Sequence, residues 1–202
     1  MSMLRKWWCV FAAFAVSGSV FAQAPQVERI RGDIVSFGGD VLKVHRPGGQ
    51  TVAVQVGPGA TLSALKRIPL SDVKVGTYVG LPATSHKDGK MVASAVLVFP
   101  ESARGTKEGH FRYDFGPTST MTNANVETIV SGNNGQEMTV SYKGGGNTIH
   151  VPANVPVVTF APATQSDLVP GKKVVMVALV RGQGMIEAQV LFVEKDGVVP
   201  PL

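Results

Sequence analysis

The stretch Ser71-Asp72-Val73-Lys74-Val75-Gly76 decides the fold, because the chain repeats it 95 residues later as Ser166-Asp167-Leu168-Val169-Pro170-Gly171. Two further matches pair 49–54 with 146–151 and 91–92 with 185–186, at separations of 97 and 94 residues. The separations differ by a few residues, and the differences fall in turns rich in glycine and asparagine. Duplication followed by insertions in loops leaves this pattern. The sequence therefore predicts two copies of one unit.

Each copy is predicted to consist of short β-strands separated by turns. Apolar and polar residues alternate along 51–56, for example, and no stretch shows a sustained helical period. Residues 71–75 form at most one helical or 3-10 turn. The predicted strands are 30–37, 41–44, 51–56, 61–65, 77–81 and 91–99 in the first copy, and 123–131, 137–142, 147–151, 155–160, 172–179 and 185–193 in the second.

Strands this short and numerous favour a small closed barrel, because closure removes exposed sheet edges. The predicted fold is all-β, with two tandem small β-barrels of the OB-like or SH3-like kind. A flat sandwich made of both copies is the alternative. The predicted boundaries are 27–100 for the first barrel, 121–195 for the second, 101–120 for a linker and 196–202 for an extended C-terminal strap.

The linker carries three aromatic residues on alternate positions, Phe111, Tyr113 and Phe115. A plain linker rarely holds so many aromatic side chains in so short a stretch. Two interpretations stay open. The rings cover the end of one barrel or the seam between the two barrels, or they form a platform for a ligand.

The N-terminus has the three parts of a secretory signal. Arg5 and Lys6 precede an apolar run at 7–16, and Val20-Phe21-Ala22 provides small residues for cleavage. The apolar run is about half of the ~20 residues needed to span a bilayer. The sequence thus predicts a signal peptide at 1–22, with cleavage after Ala24 as an alternative, and a periplasmic or secreted protein that does not span the membrane.

The only cysteine, Cys9, lies inside this predicted signal. Its removal leaves a mature chain without disulfides, thiol nucleophiles or thiolate ligands, which must be stable through its core. Arg5 and Lys6 leave with it, so 17 basic and 14 acidic residues give the mature chain a net charge of +3. So small an excess is weak support for a polyanionic partner.

The organisation is similar to an uncharacterised family of exported bacterial proteins with tandem OB-like β-barrel repeats, a domain of unknown function. The similarity covers nearly the whole mature chain. It rests on Gly32-Asp33-Ile34-Val35, the two Ser-Asp-Val/Leu-x-x-Gly turns, 105–110 through 116–124, and the closing Asp196-Gly-Val-Val-Pro-Pro. The resemblance implies a fold of OB-like barrels and an exported location, but it implies no chemical reaction.

Catalytic patterns are missing from the sequence. No serine lies in a Gly-x-Ser-x-Gly elbow. The run Gly144-Gly145-Gly146 follows a strand but opens no helix, so it indicates a hairpin turn and not a phosphate-binding loop. Glu108 and Asp114 flank His110, but charges close together in a loop are usually solvated. We therefore predict that the protein is not an enzyme and needs no cofactor.

Metal binding is the specific alternative, because histidine and methionine together suit copper. The candidate ligands are His110, Met121 and His150, which meet only if the linker packs on the second barrel. Met91 and Met185 are repeat-equivalent, which argues for packing. This alternative predicts a periplasmic metal-handling protein.

Ligand binding without catalysis is the preferred interpretation. Small barrels bind oligomers on a sheet face through aromatic and basic side chains, and an exported location makes nucleic acid a poor ligand. We expect an exported binding or scaffolding module of the cell envelope, whose partner is an envelope protein, a peptide or a glycan. The candidate ligand-binding residues are Arg104, His110, Arg112, Tyr113 and Phe115.

Overall fold

The computed structural model describes residues 26–201, and within them the chain forms β-strands, 3-10 turns and loops without an α-helix. The strands are β1 (Gln26–Gly38), β2 (Val41–His45), β3 (Thr51–Gln55), β4 (Thr61–Arg67), β5 (Tyr78–Ser85), β6 (Met91–Ala93), β7 (Val96–Val98), β8 (Gly109–Arg112), β9 (Ser119–Gly132), β10 (Gly135–Tyr142), β11 (Gly145–Pro152), β12 (Val157–Pro162), β13 (Lys173–Val180) and β14 (Ile186–Val193). The 3-10 turns are Leu70–Asp72, Glu101–Ala103, Gln165–Asp167 and Gly182–Gly184. The predicted signal peptide, 1–22, lies outside the described residues.

Five strands close into a barrel. β1 pairs with β2, β2 with β3, β3 with β14, β14 with β13, and β13 with β1 again. Alternation of side chains places Leu42, Val44, Val52 and Val54 inside. They join a core completed by Ile30, Ile34, Leu168, Val174, Met176 and Leu191, among others. The alternating pattern thus buries one face of each strand.

A second set of pairings also returns to its first strand. It runs from β5 to β9, β10, β11 and β6, and from β6 back to β5. The buried side chains of these strands form a separate apolar cluster that includes Val79, Leu81, Met138, Val140 and Ile149. β4 and β12 join the two sets as an antiparallel pair, in which Leu65 lies opposite Phe160.

The prediction of an all-β fold with a small barrel is confirmed, but two barrels in tandem along the chain are not shown. The closed barrel takes β1, β2 and β3 from the first predicted copy and β13 and β14 from the second. β5 of the first copy pairs with β9 of the second. The alternation of apolar residues specifies which face a strand buries, but it leaves open which distant strand becomes its neighbour.

Corresponding turns of the two copies have the same geometry. Gly76 and Gly171 have φ of 85° and 84°, a region that glycine enters without steric cost. The Ile34 N–H donates to the carbonyl of Lys172, and the Ile34 carbonyl accepts from the N–H of Gly171. Val126 makes the same two contacts with Thr77 and Gly76. β1 and β9 can therefore be aligned with Ile34 on Val126.

A third apolar cluster, called here the aromatic cluster, lies on the outer faces of the sheet. Three ring pairs run through it: Tyr78 to Phe99 at 5.2 Å, Phe99 to Phe160 at 5.7 Å, and Phe160 to Phe192 at 5.4 Å between ring centroids. Around them pack Leu65, Leu97, Phe111, Tyr113, Met121, Val158, Val175 and Val198. The cluster joins strands of both copies to the predicted linker.

The C-terminal segment begins with a tight turn and is not extended throughout. Asp196 and Gly197 have φ of 51° and 73°, and Lys195 bridges to Val198 across them. This Asp-Gly pair is typical of a two-residue turn with both φ angles positive. The turn carries Val198 into the aromatic cluster, where it is 9% exposed.

Candidate functional site

The predicted linker is integrated into the fold through Arg104. Its Nε and Nη2 atoms donate to the Glu101 carboxylate at 2.5 and 2.7 Å. Nη1 donates to Asn125 Oδ1 at 2.5 Å, and Nη2 also donates to the carbonyl of Gly76 at 3.0 Å. The guanidinium donates to oxygens of the protein itself, so Arg104 holds the linker to the turn at Gly76, before β5, and to β9.

Tyr113 is buried in the aromatic cluster, with 6% of its surface exposed. The Arg29 guanidinium lies over its ring, 4.3 Å from the centroid. Burial raises the pKa of the Tyr113 hydroxyl, and this effect outweighs the nearby positive charges of Arg29 and Arg31, which lower it. Tyr113 therefore supports the interpretation in which the linker aromatics cover the seam.

Asp114 links the same loop to β1. The Arg31 guanidinium binds the Asp114 carboxylate with two hydrogen bonds, one of them 2.9 Å long, and Arg29 Nη1 lies 3.5 Å from it. Partial burial alone would raise the pKa of Asp114, but the hydrogen bond and charge of Arg31 hold it below its ordinary value. The carboxylate is therefore ionised at neutral pH and acts as an anchor.

Phe115 is the exposed aromatic side chain of the same loop. Its surface is 45% exposed, yet its ring is held from two sides. Tyr113 meets it edge to face at 4.8 Å, and the Arg31 guanidinium lies 4.7 Å from its centroid. We call Arg29, Arg31, Tyr113, Asp114 and Phe115 the arginine–aromatic site. It presents one exposed ring, in contact with Tyr113 and Arg31, beside two cations and one anion.

His110 and Arg112 face away from this site, because they alternate with Phe111 and Tyr113 along the chain. His110 Nδ1 lies 2.8 Å from Thr122 Oγ1, and its ring stacks on Tyr142 with 6.4 Å between centroids. Arg112 is exposed and makes a 3.5 Å contact with the carbonyl of Pro117. The structure therefore brings only two of the five predicted ligand-binding residues, Tyr113 and Phe115, into one site. Arg104 holds the linker, and the other two lie on the opposite face of the strand.

The structure does not bring the three candidate metal ligands together. His110 lies opposite Thr122 on the β8–β9 pair, whereas Met121 lies opposite Phe111, on the other face, and packs in the aromatic cluster. His150 Nδ1 contacts Glu137 Oε1 at 2.8 Å on the β10–β11 pair. In the part of the chain that is described, no three His, Cys, Asp or Glu side chains are grouped closely enough to hold a metal ion.

A shallow cavity of about 270 Å³ lies between β4, β12 and the C-terminal turn. It is smaller than the ~300–1,000 Å³ typical of small-molecule sites. Lys195 lines the cavity, and its Nζ atom donates to the carboxylate of Asp167 at 3.0 Å and to the carbonyl of Pro162 at 3.2 Å. The cavity therefore offers less for recognition than the arginine–aromatic site does.

Arg29 and Arg31 were not among the residues predicted from the sequence. Both lie on β1, two positions apart, so they share the outward face of the strand. A predicted strand extended back to Gln26 would have shown this pair on one face. Their association with Tyr113, more than 80 residues away, could not be read from local spacing.

No family model, curated protein or solved structure matches the chain. The resemblance to exported proteins with OB-like repeats stays a prediction. Within the described residues, no helix is long and apolar enough to cross a membrane.

Proposed function

We propose that this protein is an exported, non-enzymatic binding or scaffolding module of the cell envelope. Its partner is an envelope protein, a peptide or a glycan, bound at the arginine–aromatic site. The observation that carries the proposal is Phe115, an exposed ring that is in contact with both Tyr113 and Arg31. The exported location is inferred from the signal pattern at 1–22. The proposed fold is two small OB-like barrels that exchange strands.

An exposed aromatic side chain that is already packed against its neighbours is well suited to binding. Ordering a flexible side chain on association costs about 0.5–1.5 kcal/mol, and a ring held in advance avoids most of that cost. Aromatic and arginine side chains contribute most of the affinity in many protein interfaces. This composition favours a protein or peptide partner, with a glycan as the other outcome of the experiment.

The polar groups around Phe115 suit positioning better than acid–base chemistry. Asp114 is the carboxylate next to the ring, and Arg31 and Arg29 hold it ionised. A general acid or base needs a pKa near the working pH, whereas the pKa of Asp114 is displaced further from neutrality. We therefore propose binding without catalysis.

The proposal is tested by capture of envelope material with the purified protein. Isolated cell-wall glycan and envelope protein are offered separately to the wild type and to Phe115→Ala. We expect the variant to retain about a tenth of the binding of one of these fractions, and Phe115→Tyr to retain most of it, because the ring is kept.

Met185→Ala is the matched control, because Met185 is also an exposed apolar side chain, 59% exposed, in a distant hairpin. It should bind like the wild type. Equal binding by Phe115→Ala and wild type, or equal losses in Phe115→Ala and Met185→Ala, would refute the proposed site.

A further inference from the structure

The two long strands of the molecule, β1 and β9, differ in how many neighbours they have. β9 pairs with β5 along Ser119–Asn125, with β10 along Asn125–Gly132, and with β8 along Thr120–Asn123. β1 pairs with β13 along Gln26–Asp33 and with β2 only from Asp33 onward. Among the strands of the described chain, β1 has no neighbour corresponding to β8.

The alignment of Ile34 with Val126 shows which part of β1 corresponds to the segment covered by β8. When both strands are counted back from this pair, Val27 of β1 corresponds to Ser119 of β9, and Arg29 corresponds to Met121. In β9, Phe111 pairs with Met121, and the Tyr113 N–H donates to the carbonyl of Ser119 at 2.9 Å. The molecule thus contains an example of an extended segment bound at this position.

The backbone groups of Val27 and Arg29 point to the open side of β1. Both the N–H and the carbonyl of Ile34 are used on the β13 side. Backbone groups alternate in direction along a strand, and β1 and β13 pair without a register shift from Gln26 to Asp33. Positions 27 and 29 therefore direct their donors and acceptors away from β13.

We propose that the edge of β1 at Val27–Arg29 binds an extended acidic peptide segment of a partner protein as an additional antiparallel strand. This goes beyond the proposed function, because it adds the backbone edge of β1, which adjoins the arginine–aromatic site at Arg29, and a different mode of binding. Main-chain hydrogen bonds at an exposed sheet edge supply affinity, and the alternating side chains supply specificity.

Charge favours an acidic partner. The Arg29 side chain is 26% exposed, and its contact with Asp114, at 3.5 Å, is longer than that of Arg31. A carboxylate on the added strand opposite Arg29 would form a cross-strand pair of opposite charge, which stabilises a sheet. A second copy of this chain would instead place arginine against arginine in the register centred on Arg29.

Apolar contact adds to the specificity. Val27 is 65% exposed and lies opposite Leu179 of β13. An apolar side chain opposite Val27 on the added strand would pack beside the cross-strand pair of Val27 and Leu179. In an antiparallel strand that residue follows the acidic one by two positions, so the recognised pattern is Glu-x-Val within an extended segment.

The experiment uses a capped heptapeptide of sequence TTETVTT, titrated into the isotopically labelled protein and followed by NMR. We expect saturable shifts of the amide signals of Val27 and Arg29, with signals of β10 unchanged. The same peptide with lysine in place of glutamate should bind about tenfold more weakly. Absence of saturable shifts, or equal affinity of the two peptides, would overturn the proposal.

Two matched pairs of variants separate backbone pairing from charge. Val27→Pro removes the edge N–H and should abolish binding, whereas Val27→Ala keeps the N–H and should weaken binding only a few-fold. Arg29→Glu should reverse the preference between the two peptides, and Lys43→Glu, on the neighbouring β2, should not. Thermal melting checks that each variant is folded.

The two proposals fail separately, since envelope capture is tested through Phe115, and peptide binding is tested through Val27, which lies outside the arginine–aromatic site. Sedimentation of the protein without peptide provides the last check. A dimer that Val27→Pro dissociates would identify a second copy as the occupant of the edge and would refute an acidic peptide partner.

Discussion

Replacing Tyr113 with alanine tests whether the predicted linker belongs to the folded core. The Tyr113 side chain is 6% exposed, packs in the aromatic cluster and lies under Arg29. Truncation removes roughly 120 Å² of buried apolar surface, which corresponds to about 3 kcal/mol at about 25 cal/mol per Å². Loss of a buried aromatic ring typically costs about 3–5 kcal/mol. We expect the free energy of unfolding to fall by about 3 kcal/mol.

Urea unfolding followed by circular dichroism of the β-sheet measures this change. The slope of the free energy against urea should be the same in both proteins if the native fold is kept. Tyr113→Phe keeps the ring and removes the hydroxyl, so its cost should stay below about 1 kcal/mol, the usual value of one hydrogen bond.

Phe115→Ala is the matched control, because Phe115 belongs to the same loop but is 45% exposed. Its cost should not exceed about 1 kcal/mol. If Tyr113→Ala costs less than about 1 kcal/mol, or if both alanine variants cost the same, the loop only covers the surface and the reasoning from burial is wrong.

Four further predictions concern other parts of the molecule. A Cβ atom at Gly32 would lie 2.1 Å from a backbone oxygen of β2, so Gly32→Ala should cost about 1–3 kcal/mol by overpacking in the same unfolding assay; a neutral result would contradict this close approach. Asp114→Asn should destabilise by less than about 1 kcal/mol at pH 7, because the pair is partly exposed. Since the folded-state pKa of Asp114 is lowered, this difference should begin to shrink near pH ~3.9, the ordinary pKa of aspartate, and should vanish only once the pH falls below the lowered folded-state pKa; a difference that persists in stronger acid would show another cause. Residues 26–100 expressed alone should give the circular dichroism of an unfolded chain, because β1 and β5 lose β13 and β9; a folded fragment would restore the tandem arrangement. Copper or zinc should raise the melting temperature by less than about 1 °C, because His110 and Met121 face opposite sides of one strand pair, and a larger rise would show a metal site in the native state.

Local features of the fold were accessible from the sequence. The hairpin of β2 and β3 follows from alternating valines around a glycine-rich turn, and both of its strands lie where they were predicted, within one residue. The 3-10 turn at Leu70–Asp72 overlaps the helical or 3-10 turn predicted at 71–75. These features depend on residues close together in the chain, so local spacing is sufficient to find them.

The candidate site could be predicted only in part. Tyr113 and Phe115 were selected because aromatic residues are unusual in a linker. Arg104 was selected as a basic residue of the same linker, but it holds the linker in place. β8 itself was not predicted, because its residues fall in the stretch 101–120 that was interpreted as a linker. Arg29 was missed because its contact with the Tyr113 ring joins segments far apart in the chain.

The sequence by itself determined that the chain is all-β, where its turns lie, and which face of most strands is buried. These properties follow from side-chain alternation and from glycine at positive φ, which act within a few residues. Only the tertiary structure decided that β13 and β14 complete the barrel begun by β1, and that the linker ring of Tyr113 meets Arg29. The physical reason is that either copy's strands satisfy the same alternation and hydrogen bonds, so packing of the whole chain selects the neighbour.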